Sequence, residues 1–178
     1  NKVLANTLSC NSQYLRQILQ QYAQGKSDDL AYRLARRNAH NADAALSTTL
    51  ANMLMEPGHF RKDADMGFRF LVLSHTLLSY LSGLGAHRGT ELPAELREQL
   101  IEGAGRRIAD SIDQIAHGLS AKLPVPVQSD EEEKLANELE QMPDDIDENL
   151  RLVQTQLALI CRQLGPLRTL AAHLVKAP

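Results

Sequence analysis

One short run of the sequence holds residue types that could do chemistry together: Arg33-Leu34-Ala35-Arg36-Arg37-Asn38-Ala39-His40-Asn41-Ala42-Asp43. Arg36, His40, Asp43 and Ser47 step by four, three and four, so a helix puts them on one face, and Arg33 and Arg37 sit one turn apart beside them. Arginine forks match carboxylate geometry, which makes Arg33, Arg36, Arg37, His40 and Asp43 a candidate anion or carboxylate site. Farther along, His75, Ser79 and Ser82 draw a second polar line through an otherwise apolar segment. If the two lines face each other, His75 joins the site and a buried hydrogen-bonded network results. Buried polar groups must be satisfied whatever their role, so a network that only fixes helix register is the competing reading.

Other chemistries find less support. A di-iron bundle needs two Glu-x-x-His pairs on helical turns, whereas the single Glu-x-x-His is Glu56-Pro57-Gly58-His59, where Pro-Gly enforces a turn. His59, Asp63 and Asp65 do not have a zinc spacing. The sequence has no Gly-x-Ser-x-Gly elbow and no phosphate-binding glycine loop. Cys10 and Cys161 read as packing residues, and two cysteines make no disulfide framework. No catalytic residue, metal or cofactor is expected, and the chain reads as a non-enzyme.

The elements that must position these residues are helices. Leu (30) and Ala (21) far outnumber Val, Ile and Thr, which total 20 among 178 residues. That balance favours helix over sheet. Proline and glycine divide the chain into blocks. The first runs from about Val3 to Gln24 and ends at Gly25 as its C′ residue. Ser27-Asp28-Asp29 supplies N-cap chemistry for a second block reaching Met55, and Glu56-Pro57-Gly58 stops it. The third, about Arg61 to His87, is apolar on most faces and is expected at the centre. In the fourth, after Pro93, the series Leu96, Leu100, Ala104, Ile108, Ile112, Ile115, Leu119 and Leu123 steps by three or four up to Pro124. Ser129-x-x-Glu132 is a capping-box pattern for a short acidic helix ending before Pro143. Ile146, Leu150, Val153, Leu157, Ile160, Leu164, Leu167, Ala171 and Leu174 then form a heptad seam, which Gly165-Pro166 should bend or break. The expected fold is all-α: an antiparallel up-down bundle of four long helices with one or two short connecting helices. Residues 1–178 read as one domain with an acidic connector at about 124–145.

Charge narrows the partners. The net charge of −3 hides ten acids against Lys134 in residues 130–148, followed by four bases and no acid in residues 149–178. The acidic run reads as a solvated connector. With pI near 6.1, 4% aromatics and no reading motif, nucleic acid is not an expected partner. The longest run without Asp, Glu, Lys or Arg, Phe70 to His87, is 18 residues. A span needs about 20 predominantly apolar ones, so this run reads as a buried helix of a soluble chain.

Four stretches carry a family likeness: Tyr32 to Leu46, Glu56-Pro57-Gly58-His59-Phe60, Gly67-Phe68-Arg69-Phe70-Leu71 and Leu73-Ser74-His75-Thr76-Leu77-Leu78. Together they resemble the C-terminal soluble region of the YccS/YhfK proteins, bacterial inner-membrane proteins of the fusaric-acid-resistance and aromatic-acid-exporter superfamily. The resemblance is sharp over about residues 30–88. It implies a longer parent with membrane-spanning segments upstream and this bundle on the cytoplasmic side, in keeping with a first residue, Asn1, that is not Met. The implied role is a non-catalytic domain of an efflux transporter, acting in assembly or gating. Its implied partners are the parent's transmembrane part and, through helix packing, further copies of itself. A bundle that senses an aromatic or other organic carboxylate is the second reading. The resemblance brings no catalytic motif with it.

Overall fold

A computed structural model describes residues 2–55, 61–127 and 129–176. The expectations placed on Glu56–Phe60, including the turn at Pro57-Gly58 and any role for His59, lie outside the described residues, as does the side chain of Asp63. Helix α1 covers Lys2–Gln24, α2 Leu30–Met55 and α3 Arg61–Ala86. A single continuous rod follows, made of α4 (Ala94–Arg97), a π-helical stretch (Glu98–Gly105) and α5 (Arg106–Ala121). The acidic helix α6 is Asp130–Glu140, and α7 (Glu148–Arg162) and α8 (Leu164–Lys176) complete the chain. There is no strand among the described residues, and the all-α bundle expected from composition is what forms.

Local chemistry sets the boundaries. Gly25 ends α1 in the left-handed region (φ 97°), donating its N–H to the Gln21 carbonyl at 2.9 Å. Asp29 opens α2 by accepting from the Ala31 N–H at 3.0 Å. Ser129 caps α6, its Oγ accepting from the Glu132 N–H at 3.3 Å. The reciprocal half of a capping box is missing, because the Glu132 carboxylate turns to Arg168 instead. Between α7 and α8 the break falls at Gln163. Pro166 has no N–H to offer the Arg162 carbonyl and its ring clashes there, so the helix restarts with Pro166 in the first turn of α8.

The helices stack in layers. α2 lies on α1 and α3; these lie on the π stretch, α5, α7 and α8; and α6 packs outside α7. Arg16 of α1 donates to Asp110 (2.7 Å) and Asp113 (2.6 Å) of α5, which runs antiparallel to it. α6 turns the chain back, with Glu132 beside Cys161 and Leu139 beside Gln154. That reversal makes room for a further long segment, α7–α8. Its heptad seam points inward, with Val153, Leu157, Ile160, Leu164, Leu167 and Ala171 all buried.

The centre of the bundle is α1, not the third segment as expected. α1 buries Leu8, Leu15 and Ile18 together with Thr7, Asn11, Ser12 and Gln21. Three of these polar residues have near partners: Thr7 bonds the Val3 carbonyl, Ser12 the Ala109 carbonyl, and Gln21 exchanges two bonds with Ser27. A neutral polar group satisfied in this way can be buried, which mean hydropathy does not register. α3 instead keeps an exposed stripe through Asp65, Arg69, Val72, His75 and Ser79.

Candidate functional site

The Arg/His/Asp patch occupies the α2–α3 seam. α2 turns Tyr32, Ala35, Ala39, Ala42, Leu46 and Leu50 inward. That stripe fixes where the polar residues go: Arg33, Arg36, Arg37 and His40 are exposed, and Asp43 is half-buried at the edge. α2 and α3 run antiparallel, with Tyr32 against Gly85 and Leu50 against Gly67, and this register brings Asp43 opposite His75. The two polar lines therefore meet, joined by a 2.9 Å contact between His75 Nδ1 and Asp43 Oδ2.

The network is not buried, contrary to the expectation for facing lines. The His75 side chain is 67% exposed, against 16% for Asp43. Apolar side chains take the inner contact between the helices, which leaves the polar lines at its rim. With Nδ1–H donating to Asp43, Nε2 is the acceptor of a largely exposed ring. Asp43 Oδ1 is buried without a partner.

The remaining residues divide by position. Arg33 pairs with Asp28 at 3.2 Å and serves the start of α2. Arg36 and Arg37 make no ion pair among the described residues. The His40 ring lies 6.3 Å from that of Tyr14, which in turn lies 6.0 Å from Tyr32. Arg88 closes the cluster, its guanidinium 4.3 Å above the Tyr32 ring and donating to the Gly85 carbonyl at 2.9 Å. Burial pushes the Tyr14 hydroxyl up to about 12. The seam thus offers cations and an oriented imidazole on an open surface. It can hold an anion by hydrogen bonds and charge. No group of His, Cys, Asp and Glu among the described residues is arranged to hold a metal ion.

Two features went unnoticed in the sequence. The first is Arg168, buried on α8, whose Nε donates to both Glu132 oxygens (2.7 and 2.9 Å) and whose Nη2 donates to Gln114 Oε1 (2.7 Å). Its signal was a single Arg in residues 163–175, a run with no other Lys, Arg, Asp or Glu. The second is the π-helical stretch, whose Leu100, Gly103 and Ala104 help line a cavity of about 530 Å³ with Leu139 and Ile146. Both cysteines are packing residues, as expected. Cys161 is buried and its thiol is pushed up to about 12 by that burial; half-buried Cys10 is raised for the same reason.

Among known proteins, the chain is 47% identical over 87 residues to the inner membrane protein YccS of Escherichia coli (strain K12), a match covering 49% of this chain and 12% of that protein. It is 36% identical over 145 residues to an uncharacterized protein of Haemophilus influenzae, covering 80% of this chain and 20% of the relative. An uncharacterized protein, ORF2, of Neisseria gonorrhoeae is 37% identical over 73 residues, covering 40% of this chain and 18% of the relative. The chain thus corresponds to 12 to 20% of the length of these relatives. No family model matches it, and no solved structure does.

Proposed function

The chain belongs with the YccS-type inner membrane proteins, and from that premise we propose that it is a non-catalytic helical domain of an inner-membrane efflux transporter, held on the cytoplasmic side and acting in assembly or gating. One juxtaposition carries the reading: half of the chain is homologous to an inner membrane protein, yet none of its described helices is long and apolar enough to cross a membrane. A segment of that kind reaches the bilayer through the rest of its parent. The test is made on the parent in cells. A reporter fused after Lys176 should be active on the cytoplasmic side of a membrane-inserted parent, and deletion of the domain should abolish efflux without abolishing insertion. A periplasmic reporter signal, or unchanged efflux after deletion, overturns the proposal.

The exposed guanidinium groups of Arg36 and Arg37, which make no ion pair among the described residues, stand beside His40 and the Asp43–His75 pair and support a second reading, a sensor for an organic carboxylate. A ligand that binds only the native state raises the melting temperature. Aromatic acids at saturating concentration should therefore raise it in the wild type and not in Arg36→Ala. No shift in the wild type removes this reading.

A further inference from the structure

Helix α2 has a second seam, facing away from the bundle. Leu30, Leu34, Arg37, Asn41, Ala44, Thr48, Ala51 and Met55 alternate steps of four and three along its whole length, and every one of them is exposed. They lie opposite the inward stripe of Ala35, Ala39, Ala42 and Leu46, since an offset of two residues is about 200° around a helix. Four of the large apolar side chains exposed among the described residues belong to this helix: Leu30 (60%), Leu34 (45%), Leu54 (58%) and Met55 (84%). Three of the four, Leu30, Leu34 and Met55, lie at the two ends of the seam, with Ala44 and Ala51 and the polar Arg37, Asn41 and Thr48 between them. Apolar residues scattered singly over a surface need no explanation, whereas apolar ends set in heptad register along one helix face fit a helix–helix seam. The heptad at the end of the chain cannot serve this purpose, because it is buried within the fold.

We propose that α2 pairs with α2 of a second copy of this chain, antiparallel and about a two-fold axis passing between Asn41 and Ala44. The seam is self-complementary in that direction only. Antiparallel pairing sets Leu30 against the second copy's Met55, Leu34 against its Ala51, Arg37 against its Thr48 and Asn41 against its Ala44. Each large apolar end thus meets the other kind of apolar end, and each bulky or polar residue in the middle meets a small one, as an isologous interface requires. Charge selects the same orientation. Arg33, Arg36 and Arg37 fall in the N-terminal half of α2, and residues 44–55 carry no charge. Antiparallel pairing lays the arginines along the uncharged half of the neighbouring helix, towards its C-terminus, where the helix dipole favours cations. Parallel pairing would stack Arg37 on Arg37. Asn41 is the polar residue in mid-seam that fixes the register.

This deepens the assembly part of the reading above. Its failure is distinguishable from failure of that reading, because it is scored on the 178-residue chain in solution and not on the parent in cells. Sedimentation equilibrium should show a dimer that dissociates on dilution. Ala44→Arg adds a long cation beside the second copy's Arg37 at an exposed position that suits arginine; it should lose the dimer at concentrations where wild type is dimeric, with helicity and melting temperature of the monomer unchanged. Orientation is read by cross-linking in a Cys10→Ser background. Chains carrying Leu34→Cys and chains carrying Ala51→Cys should form disulfides with each other when mixed and not with themselves. A chain that is monomeric at several hundred micromolar overturns the proposal. So does a dimer that survives Ala44→Arg, or a Leu34→Cys chain that links to itself.

Discussion

Arg168 holds the most deeply placed charge among the described residues, with its side chain 4% exposed and its partner Glu132 13% exposed. Two charges removed from water are tolerated there because the guanidinium is satisfied on three sides, by the carboxylate, by Gln114 and by the Pro126 carbonyl. Removing one partner leaves the other uncompensated. Arg168→Ala should therefore destabilise the chain by about 3 kcal/mol in urea unfolding, and a double replacement Arg168→Met with Glu132→Gln should recover much of that loss. A second residue-scale effect appears in alkali. The Tyr14 hydroxyl is raised to about 12 by burial, and burial also raises that of Tyr22. An unfolded tyrosine ionises near 10. Below that value both states hold the proton and the stabilisation is complete. Between about 10 and 12 the unfolded state loses the proton first, so stability falls as pH rises. Urea midpoints measured at successive pH values should decline across this window, and less steeply in Tyr14→Phe. At this scale the sequence was informative about residue type but not about depth. Asp43 and His75 were visible as members of two polar lines on two helices, whereas their pairing and their place at the rim depend on how α3 rotates against α2, which no spacing encodes.

Among the elements, the rod from 94 to 121 has the clearest physical logic. Its apolar positions Leu96, Leu100, Ala104, Ile108 and Ile112 are each four residues apart. In a regular α-helix each such step drifts by about 40°, so four of them would carry the stripe well around the helix. The π-helical stretch Glu98–Gly105 widens the turn where the drift accumulates, and Leu100, Ala104, Ile108 and Ile112 all remain buried. The unbroken run of four-residue steps was therefore a readable signal for a π segment. Gly105 sits at the end of that stretch, against Leu19 of α1. A Cβ there would lie 2.5 Å from Leu19 Cδ2 and 3.1 Å from the Leu100 carbonyl oxygen. Gly105→Ala should cost about 1–3 kcal/mol by overpacking, even though alanine is the better helix former. Equilibrium unfolding checks this, and Leu19→Ala in the same chain should reduce the penalty. α5 ends at Ala121 before the left-handed Lys122, three residues short of Pro124, whereas the boundaries at Gly25, Asp29, Pro93 and Ser129 were legible because these residues act on their immediate neighbours. The choice of central helix was not, because it turned on whether the polar residues of α1 find partners, a property of the packed chain.

At the scale of the whole molecule the layers differ in how firmly they are held. α1 lies between α2 and α5 and contributes Leu8, Leu15 and Ile18 to the core. α2 lies on one side only, and half of its inward stripe is alanine. With so little apolar area buried, α2 should open at lower free energy than α1 and α5. Hydrogen exchange on dilute protein should show its amides exchanging well before those of α1, which should approach the global limit. Equal protection of the two helices would contradict this layering. The all-α class was legible from Leu and Ala content and from the spacing of apolar residues. The order of layers was not, because three of the long helices have apolar stripes of similar length and nothing local ranks them.

The layering also separates charge. Residues 130–148, with a net charge of −9, lie along and just after α6, outside α7; of the +6 on the rest of the chain, +4 is on α7–α8 against that edge and offsets it only in part, and +2 is on residues 1–129. The exposed arginines of α2 stand on the opposite side of the bundle. A body divided in this way has a large electric dipole moment, and near a charged surface it experiences a torque as well as a force. Close to an anionic surface the α6 edge turns away and the α2 edge is presented, although the net charge alone would predict simple repulsion. Two copies joined through α2 would carry their acidic edges at both outer ends, so the dipole components across the interface cancel. The single and paired forms should then differ in dielectric relaxation by more than their masses explain.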